Sequence, residues 1–548
     1  MPIKQYTPHP SLRSFPVFAR KTYCIYFVLY GGCTLASGNV AGNSISETML
    51  LWLSCAVLVV LLCLHRASCF RSCFTLLPGP NFRQYLPNGT VFPLYRDPSK
   101  MLRVIVALSK TYGNVFQLWL GPLDTVITSV PTDVAQILSA THLFERPRAM
   151  QRMFEAVVPG SLVCTPRHLH AVARRHLRNN FNFTLLEGFH LHMTDAAVEL
   201  CQVLSDIEER TPPGILSAPF NISEQLSIAA FRVILNVAFG CNLDREQRLH
   251  FAKCTDRLVD EMMLDFVGHP LRQWLSNFGS RSRLFNASQK VNEFCQTFIL
   301  ERLGETEEQS RRRPQDLLDA IIDLERADVD KVTSQVVVFA VAGAHTTSET
   351  LAWSIYETCC NPSVAHYIHD ELQRLLPQKS IHENLSHDEV SKLKYLRNVW
   401  KETLRKHPPG PMFARRAVKD VHLSGSGTFV PKGKTVVALS QGSHMDRNVW
   451  NKPQLFSPER WGEPNREGEK NSSGAYVPFS VGGRACPGRF LADHEGVLIL
   501  AEMHRRFEFR LACDADSVAS CSGWAEFSRA AAKGQRYEAG LPISLVRR

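Results

Sequence analysis

The sequence predicts a mainly helical α+β protein: one large helical domain with small β-sheets at its margins, behind an N-terminal membrane anchor. Three observations carry this. Stretches with helical spacing of apolar residues dominate from about residue 133 to about residue 406. Short strand-like pieces lie at the edges of that region. An uncharged run, MLLWLSCAVLVVLLCL, occupies residues 49–64. The chain has 548 residues, 45% of them hydrophobic, ample for a large core. No Pro/Gly/Ser-rich linker divides it after about residue 80, and no repeat is visible. The division is therefore an extension and anchor over 1–76 and a catalytic domain over 77–548.

The anchor comes first. The run over 49–64 spans about 24 Å as a helix, against ~30 Å of hydrocarbon. Cys69, Phe70 and Phe74 extend it, with Arg66 and Arg71 snorkelling. A weaker apolar run covers 22–36, broken by Gly31 and Gly32. A cleaved signal peptide fits less well, because the main run starts late and basic residues follow it. If both runs span, Lys4, Arg13, Arg20 and Lys21 before and Arg66, Arg71 and Arg83 after put both ends in the cytosol. If only the second spans, the bias is mixed; alternatively the residues before Met49 are an atypical extension. Leu77-Pro78-Gly79-Pro80 then makes a stiff hinge.

In the domain, NVFQLWLGPLDTVIT (114–128) reads as a hairpin turning at Gly121-Pro122. Helices are expected near 133–140, 168–181, 188–210, 223–239, 283–303 and 315–325. A long apolar helix follows over 328–360, then one over 390–406. Strands are expected near 418–423, 434–439, 507–511 and 541–546.

Composition excludes some functions. The net charge is +10, but basic residues are scattered, with no zinc-finger spacing or basic heptad helix, so no nucleic-acid partner is expected. Sixteen cysteines, several in apolar runs and two adjacent (Cys359, Cys360), do not form a disulfide framework and suit a reducing compartment.

The densest chemistry lies in Phe479-Ser480-Val481-Gly482-Gly483-Arg484-Ala485-Cys486-Pro487-Gly488. Two glycines permit a turn that side chains would block. Pro487 suits the first turn of a helix over about 488–505, whose positive end favours a thiolate at Cys486. A thiolate donates electrons strongly to a haem iron. Gly488 lets the chain pass close to a flat macrocycle, and Phe479 can pack on its sulfur side. Elsewhere, Glu402 and Arg405 are three apart on a helix and can pair. In the long apolar helix, Gly343 is a weak spot and Thr346 can bond back to a carbonyl and bend the helix.

FSVGGRACPG resembles the haem-binding signature of the cytochrome P-450 family, Phe-x-x-Gly-x-Arg-x-Cys-x-Gly, with every fixed position present. FSPERW (456–461) is similar to the family's Phe-x-Pro-Glu-Arg-Trp, which implies a buried structural triad of Glu402, Arg405 and Arg460. Residues 444–450 match its His-x-Asp-x-x-x-Trp stretch. Ala342-Gly343-Ala344-His345-Thr346-Thr347 resembles its oxygen-binding motif, with Thr346 at the proton-delivering Thr. His345 departs from the usual acid. It either relays protons itself or points at a neighbouring helix or solvent while water carries them. HPPGPMFAR (407–415) and HAVAR (170–174) are similar to family segments that bear haem-propionate arginines, so Arg484, Arg415 and Arg174 are candidates, with His170 replacing a Trp. The alternative for Arg174 and Arg175 is a solvated helix face.

The resemblance covers about 77–548, specifically in the last 220 residues and loosely between 130 and 330. It implies the cytochrome P-450 fold and haem b, with Cys486 as axial ligand and Gly343, Gly488 and Phe479 beside the cofactor. Thr346 and His345 are the candidate catalytic residues, and Ala342, Met412 and Phe413 the candidate pocket. The implied activity is insertion of one oxygen atom from O2 into a small apolar molecule, with a terpenoid-like secondary metabolite as the guess. The type expected is a fungal, membrane-bound enzyme of the endoplasmic reticulum with a cytosolic catalytic domain. No flavin or nicotinamide fingerprint appears, so NADPH electrons are expected through a separate flavoprotein reductase, with cytochrome b5 as a further partner. The reductase is expected on a basic face of Arg174, Arg175, Arg178 and Arg489. The alternatives are an O2-independent haem-thiolate isomerase or dehydratase, and a haem sensor.

Overall fold

The computed structural model describes residues 77–80, 84, 101–120, 123–177, 186–267, 280–462, 474–515 and 540–548. Both N-terminal apolar runs, the turn at Gly121-Pro122 and Arg178 lie outside these residues. In chain order come α1 (Met101–Tyr112), β1 (Val115–Leu120), β2 (Leu123–Thr128), α2 (Pro131–Ser139), β3 (Phe144–Glu145), α3 (Arg148–Glu155) and α4 (Arg167–Leu177). Then follow α5 (Leu186–Glu208), β4 (Phe220–Asn221), α6 (Ile222–Phe239), α7 (Arg245–Val267), α8 (Ser280–Leu303), α9 (Glu307–Arg312) and α10 (Leu317–Leu324). The central helix α11 (Val329–Cys360) leads to α12 (Pro362–Leu375), α13 (His387–Lys392) and α14 (Lys394–Lys406). Strands β5 (Phe413–Ala417), β6 (Val421–His422), β7 (Phe429–Val430) and β8 (Thr435–Ala438) precede α15 (Ser440–His444). Last come α16 (Arg489–Arg506), β9 (Phe507–Leu511) and β10 (Pro542–Arg547).

The mainly helical architecture with marginal sheets is as expected. α11 packs along α6 and α8, and its C-terminal half lies against α14 and α16. Asp328 caps its first turn by accepting from the Lys331 N–H at 3.3 Å. Strands β1, β2, β8, β5 and β3 form one sheet in that order; β4, β10 and β9 form a second, and β6 and β7 a third. The 114–128 hairpin is present, Val115 facing Thr128 across an antiparallel pair.

Some expectations change. The helix expected over 390–406 is two, α13 and α14, with buried Leu393 ending one and starting the next. α1, α7 and α12 were not anticipated. α12 starts where Pro362 takes the first helical position, free of any need for an N–H. α6 is long and apolar enough to cross a membrane by length and composition, but most of it is buried and it packs on α5 and α11. It is a core helix, with its apolar residues buried and Glu224, Gln225, Arg232 and Asn236 left partly exposed.

Candidate active site

The cysteine loop is held at both ends. The Cys486 N–H donates to Phe479 O at 2.8 Å, closing the loop. Gly482 has φ +76°, and a Cβ there would stand 2.7 Å from Ser139 Cα, so the loop lies directly on the end of α2. Gly483 meets only Thr141 Cγ2 at 3.8 Å, so Gly482 alone is required. Gly488 caps α16, which places Pro487 just before the cap rather than in the first turn. A Cβ on Gly488 would meet nothing of the protein within 4 Å. The Arg489 guanidinium lies 5.7 Å from the Phe479 ring centroid.

Cys486 is closely surrounded by protein, and burial pushes its thiol up against the pull of the Gly488 N–H, Arg174 and Arg489. Its surface is nevertheless exposed. Cys486 is thus open to a ligand within a close shell of protein.

Cations gather beside it. Arg484 donates to Thr165 O at 2.9 Å, and Arg415 donates to the Ala414 carbonyl at 2.9 Å. Burial, then Arg146 and Arg484, lowers Arg415 to about 10; burial, then Arg146 and Arg174, lowers Arg484 to about 10. His170 is pushed down to about 3 by burial and by Arg484, Arg174 and Arg146, so its ring is neutral. Arg174 is turned partly inward while Arg175 is exposed, so Arg174 belongs to this cluster and not to an outer face.

Arg146 is the member that sequence reasoning missed, and the sheet explains its place. β3 pairs antiparallel with β5, Phe144 opposite Ala417 and Glu145 opposite Arg416. One residue further, the same register sets Arg146 level with Arg415. Alternation turns this pair to one face, and the Arg416–Glu145 ion pair to the other. Like charges set level in a sheet are destabilising. Arg146 Nη1 and Arg484 Nη1 are moreover buried with no hydrogen-bond partner. Four guanidinium groups with two unsatisfied forks fit a dianion, such as the two propionates of a haem.

The long helix supplies the opposite wall. Ala342 is exposed although most of its helix is buried, and Thr346, four residues on, shares its face. Thr346 Oγ1 donates back to Ala342 O at 2.7 Å, the back-bond that the sequence suggested; α11 runs uninterrupted through it. Glu349, one turn further, was not anticipated; burial raises its carboxyl well above the usual range. Gly343 is set by packing rather than by this opening: a Cβ there would stand 2.8 Å from Ile234 Cδ1 of α6. His345 points at α7, its Nε2 3.2 Å from Thr255 Oγ1 and its Nδ1 3.3 Å from Asp256 Oδ1. Met412 and Phe413 are half-buried against neighbouring core clusters.

Behind the loop, Glu402, Arg405 and Arg460 come together. Glu402 accepts from Arg405 Nε and Nη2 at 2.9 Å each and from Arg460 Nε at 3.0 Å. It also accepts from Trp461 Nε1 at 2.9 Å and the Ser457 N–H at 3.0 Å, two partners sequence reasoning did not name. Burial raises the Glu402 carboxyl, but these partners outweigh it and hold it below the usual value. Arg405 further donates to the carbonyls of His444 and Pro453 at 2.9 and 2.8 Å. His444 Nδ1 donates to Arg405 O at 3.1 Å, and its Nε2 accepts from the Val477 N–H at 2.8 Å. The triad is thus wired through His444 to the segment that enters the cysteine loop.

The chain belongs to the cytochrome P450 family: the Cytochrome P450 profile matches residues 80–534. It is similar to human cytochrome P450 4V2, 26% identical over 84% of this chain and 91% of that protein. It is likewise similar to carnosic acid synthase of Rosmarinus officinalis, 25% identical over 81% and 88% of the two chains. A third relative is cyclooctat-9-en-7-ol 5-monooxygenase of Streptomyces melanosporofaciens, 26% identical over 77% and 87%. The family carries haem b and performs oxidoreductase chemistry of the monooxygenase type on small organic molecules, with electrons supplied by redox partners.

Proposed function

We propose that this chain is a haem-thiolate monooxygenase that inserts one oxygen atom from O2 into a small apolar substrate of the terpenoid class. The observation that carries this is the cluster of Arg146, Arg174, Arg415 and Arg484 beside an accessible Cys486, with two guanidinium nitrogens unpartnered. Bound, haem b supplies the redox chemistry: one atom of O2 enters a substrate C–H bond and the other becomes water, with two electrons from NADPH and two protons.

The residues divide the remaining work. Cys486 would hold the iron as a thiolate, coordination removing the thiol proton that burial otherwise retains. The four arginines would hold the propionates, and neutral His170 could donate a hydrogen bond to the same groups. Phe479 and Gly488 bound the sulfur side. Thr346 holds a proton at Oγ1 on the open face of α11, and His345 passes protons toward it. Ala342, Met412 and Phe413 offer apolar surface to the substrate.

NADPH electrons arrive through a separate flavoprotein reductase, with cytochrome b5 as a second donor. The docking face is formed by exposed Arg175, Arg489, Leu169, Val172 and Phe490. The apolar runs over 49–64 and 22–36 support an enzyme of the endoplasmic reticulum membrane with its catalytic domain in the cytosol, and together with the basic chain and His345 they support a fungal-type member. A terpenoid substrate is suggested by the names of two relatives, a carnosic acid synthase and a cyclooctatenol monooxygenase.

The test is spectroscopic and then chemical. The ferrous protein under carbon monoxide is expected to show the strongly red-shifted Soret band of thiolate ligation, and Cys486→Ser to lose it. With a reductase, NADPH and a terpenoid panel, a product heavier by one oxygen is expected only when O2 is present. A wild-type protein lacking that band refutes the ligand assignment. Turnover without O2 refutes the monooxygenase.

A further inference from the structure

We infer that Asp493 and Arg489 on α16 form a charge couple that sets how readily the haem iron is reduced, the carboxylate opposing the incoming electron and the guanidinium favouring it. This rests on the haem-thiolate reading above, and it gives a role to a carboxylate that no motif marks.

Trp400 of α14 donates from Nε1 to Asp493 Oδ1 at 3.0 Å. Its indole is 1% exposed and lies directly on α16, where a Cβ on Gly496 would stand 2.4 Å from Trp400 Cη2. The donor that fixes Asp493 is therefore itself fixed. One turn back along the helix, Arg489 Nε is 3.6 Å from Asp493 Oδ2, an ion pair rather than a hydrogen bond. The same guanidinium stands over the Phe479 ring, 5.7 Å from its centroid. The Phe479 carbonyl in turn accepts from the Cys486 N–H at 2.8 Å. Helix electrostatics oppose this placement. Arg489 lies in the first turn of α16, where a cation meets the positive end of the helix dipole, and no acid shares that turn. Asp493 offsets that cost from the second turn, so positive charge is kept beside the ligand loop.

The sign follows from charge. Ferric iron, a porphyrin dianion and a thiolate sum to zero, and one added electron makes them negative. A nearby carboxylate opposes that step and a nearby cation favours it. Both members act on the Cys486 sulfur: after burial and the Gly488 N–H, Arg174 and Arg489 favour negative charge there and Asp493 opposes it. Exposure sets their weights. The Asp493 side chain is 27% exposed and the Arg489 side chain 58%, so water and salt screen the cation more. Burial raises the Asp493 carboxyl, while the Trp400 N–H, Arg489, Arg397 and Lys401 pull it back toward the carboxylate. Asp493 is seven residues from Cys486, about 10 Å along a helix. At an effective dielectric of ~20, a unit charge at that range changes a one-electron equilibrium by about ten-fold. The carboxylate is the stronger member and acts as a brake on the first electron.

The test is an anaerobic redox titration of the full-length, haem-loaded protein with dye mediators, read as ferric against ferrous absorption. Each variant is first checked for the thiolate Soret band under carbon monoxide. Asp493→Asn keeps an acceptor for Trp400 and loses the charge. It is expected to shift the equilibrium about ten-fold toward the ferrous form, 59 mV for one electron. Arg489→Gln is expected to shift it about three-fold the other way, and by less at high salt. Asp493→Glu should return the wild-type value. Trp400→Phe breaks the hydrogen bond between α14 and α16 without removing a charge; it should lower the unfolding midpoint and move the equilibrium by less than about two-fold. Should Asp493→Asn bind no haem, Arg489→Gln at its exposed position still decides by the sign of its shift. A wild-type potential in Asp493→Asn, a shift in the same direction in Asp493→Asn and Arg489→Gln, or a Trp400→Phe that matches Asp493→Asn overturns the couple. A wild-type protein with no O2-dependent product overturns the monooxygenase reading alone, since the titration needs only bound haem and mediators. A wild-type protein without the thiolate band overturns both.

Discussion

Replacing Glu402 by Ala removes a carboxylate that serves two buried guanidinium groups at once. Glu402 and Arg405 are 0% exposed and Arg460 is 5% exposed. Five hydrogen bonds between 2.9 and 3.0 Å end on the two Glu402 oxygens. Without them the Arg405 cation remains buried, still held to backbone carbonyls but without its carboxylate. Breaking one partner out of a buried ion pair costs about 3–5 kcal/mol. Taking about 2 °C per kcal/mol for a large domain, the unfolding midpoint should fall by roughly 6–10 °C. Arg460→Leu should cost less, because Glu402 then keeps both Arg405 bonds. Neither loss should depend much on salt, since water and ions do not reach the site. The assay is thermal unfolding followed by circular dichroism, with the Soret band read in parallel. A midpoint for Glu402→Ala within 2 °C of wild type, or an effect smaller than that of Arg460→Leu, would falsify the reasoning.

Further outcomes follow from the same contacts. Gly482→Ala should destabilise by about 1–3 kcal/mol from the backbone alone, plus the clash with Ser139, and should weaken the Soret band with it. Arg146→Leu should act with opposite signs: the haem-free protein becomes more stable as like-charge repulsion falls, while haem binds about 10- to 100-fold more weakly for want of a charge-assisted bond; haem transfer to apomyoglobin and unfolding of the haem-free chain measure the two. His444, His494 and His504 are each held at about 3, first by burial, below an unfolded value near 6.5. The unfolded chain therefore binds more protons in that window, so stability is full above about pH 6.5 and falls as the pH drops toward 3. His504→Phe, which removes a buried Nε2 without a partner, should flatten that slope in midpoints measured from pH 7 to pH 5.

Much of the site is local in sequence and could be read there. The loop over 479–488 carries its own turn glycine, its sulfur and its cap, and the structure joins its ends by one backbone bond. Glu402 and Arg405 are one helical turn apart, so their pairing needs only a helix. The helices over 222–239 and 329–360 are legible because both are long, mostly apolar and mostly buried. α7 escaped because its buried positions, Phe251, Ala252, Thr255 and Leu258, are diluted by charged residues between them. The break at Leu393 escaped because an apolar residue continues the helical pattern whether or not the backbone does. His345 was open between two readings, and its contacts lie in another helix, at Thr255 and Asp256. Trp461 and His444 stood inside recognised segments, but their hydrogen bonds to the triad depend on tertiary closure.

Arg146 shows why motif reading stops where it does. The loop that contains Cys486 supplies one cation, Arg484; the others come from the end of β3, from α4 and from β5. No spacing along the chain links residues 146 and 415. Only the pairing of two short strands makes them level, and only alternation turns both to one face while Arg416 and Glu145 neutralise each other on the opposite one. A strand pair of two residues is a weak device for holding like charges together. Its neighbours anchor it: β5 also pairs with β8, and β8 with β2, whose partner β1 closes the sheet. Sheet stability is thus spent on a concentration of positive charge that no described residue neutralises. That expenditure makes physical sense when a dianion belongs to the folded state, and it makes haem binding and completion of the fold parts of a single equilibrium.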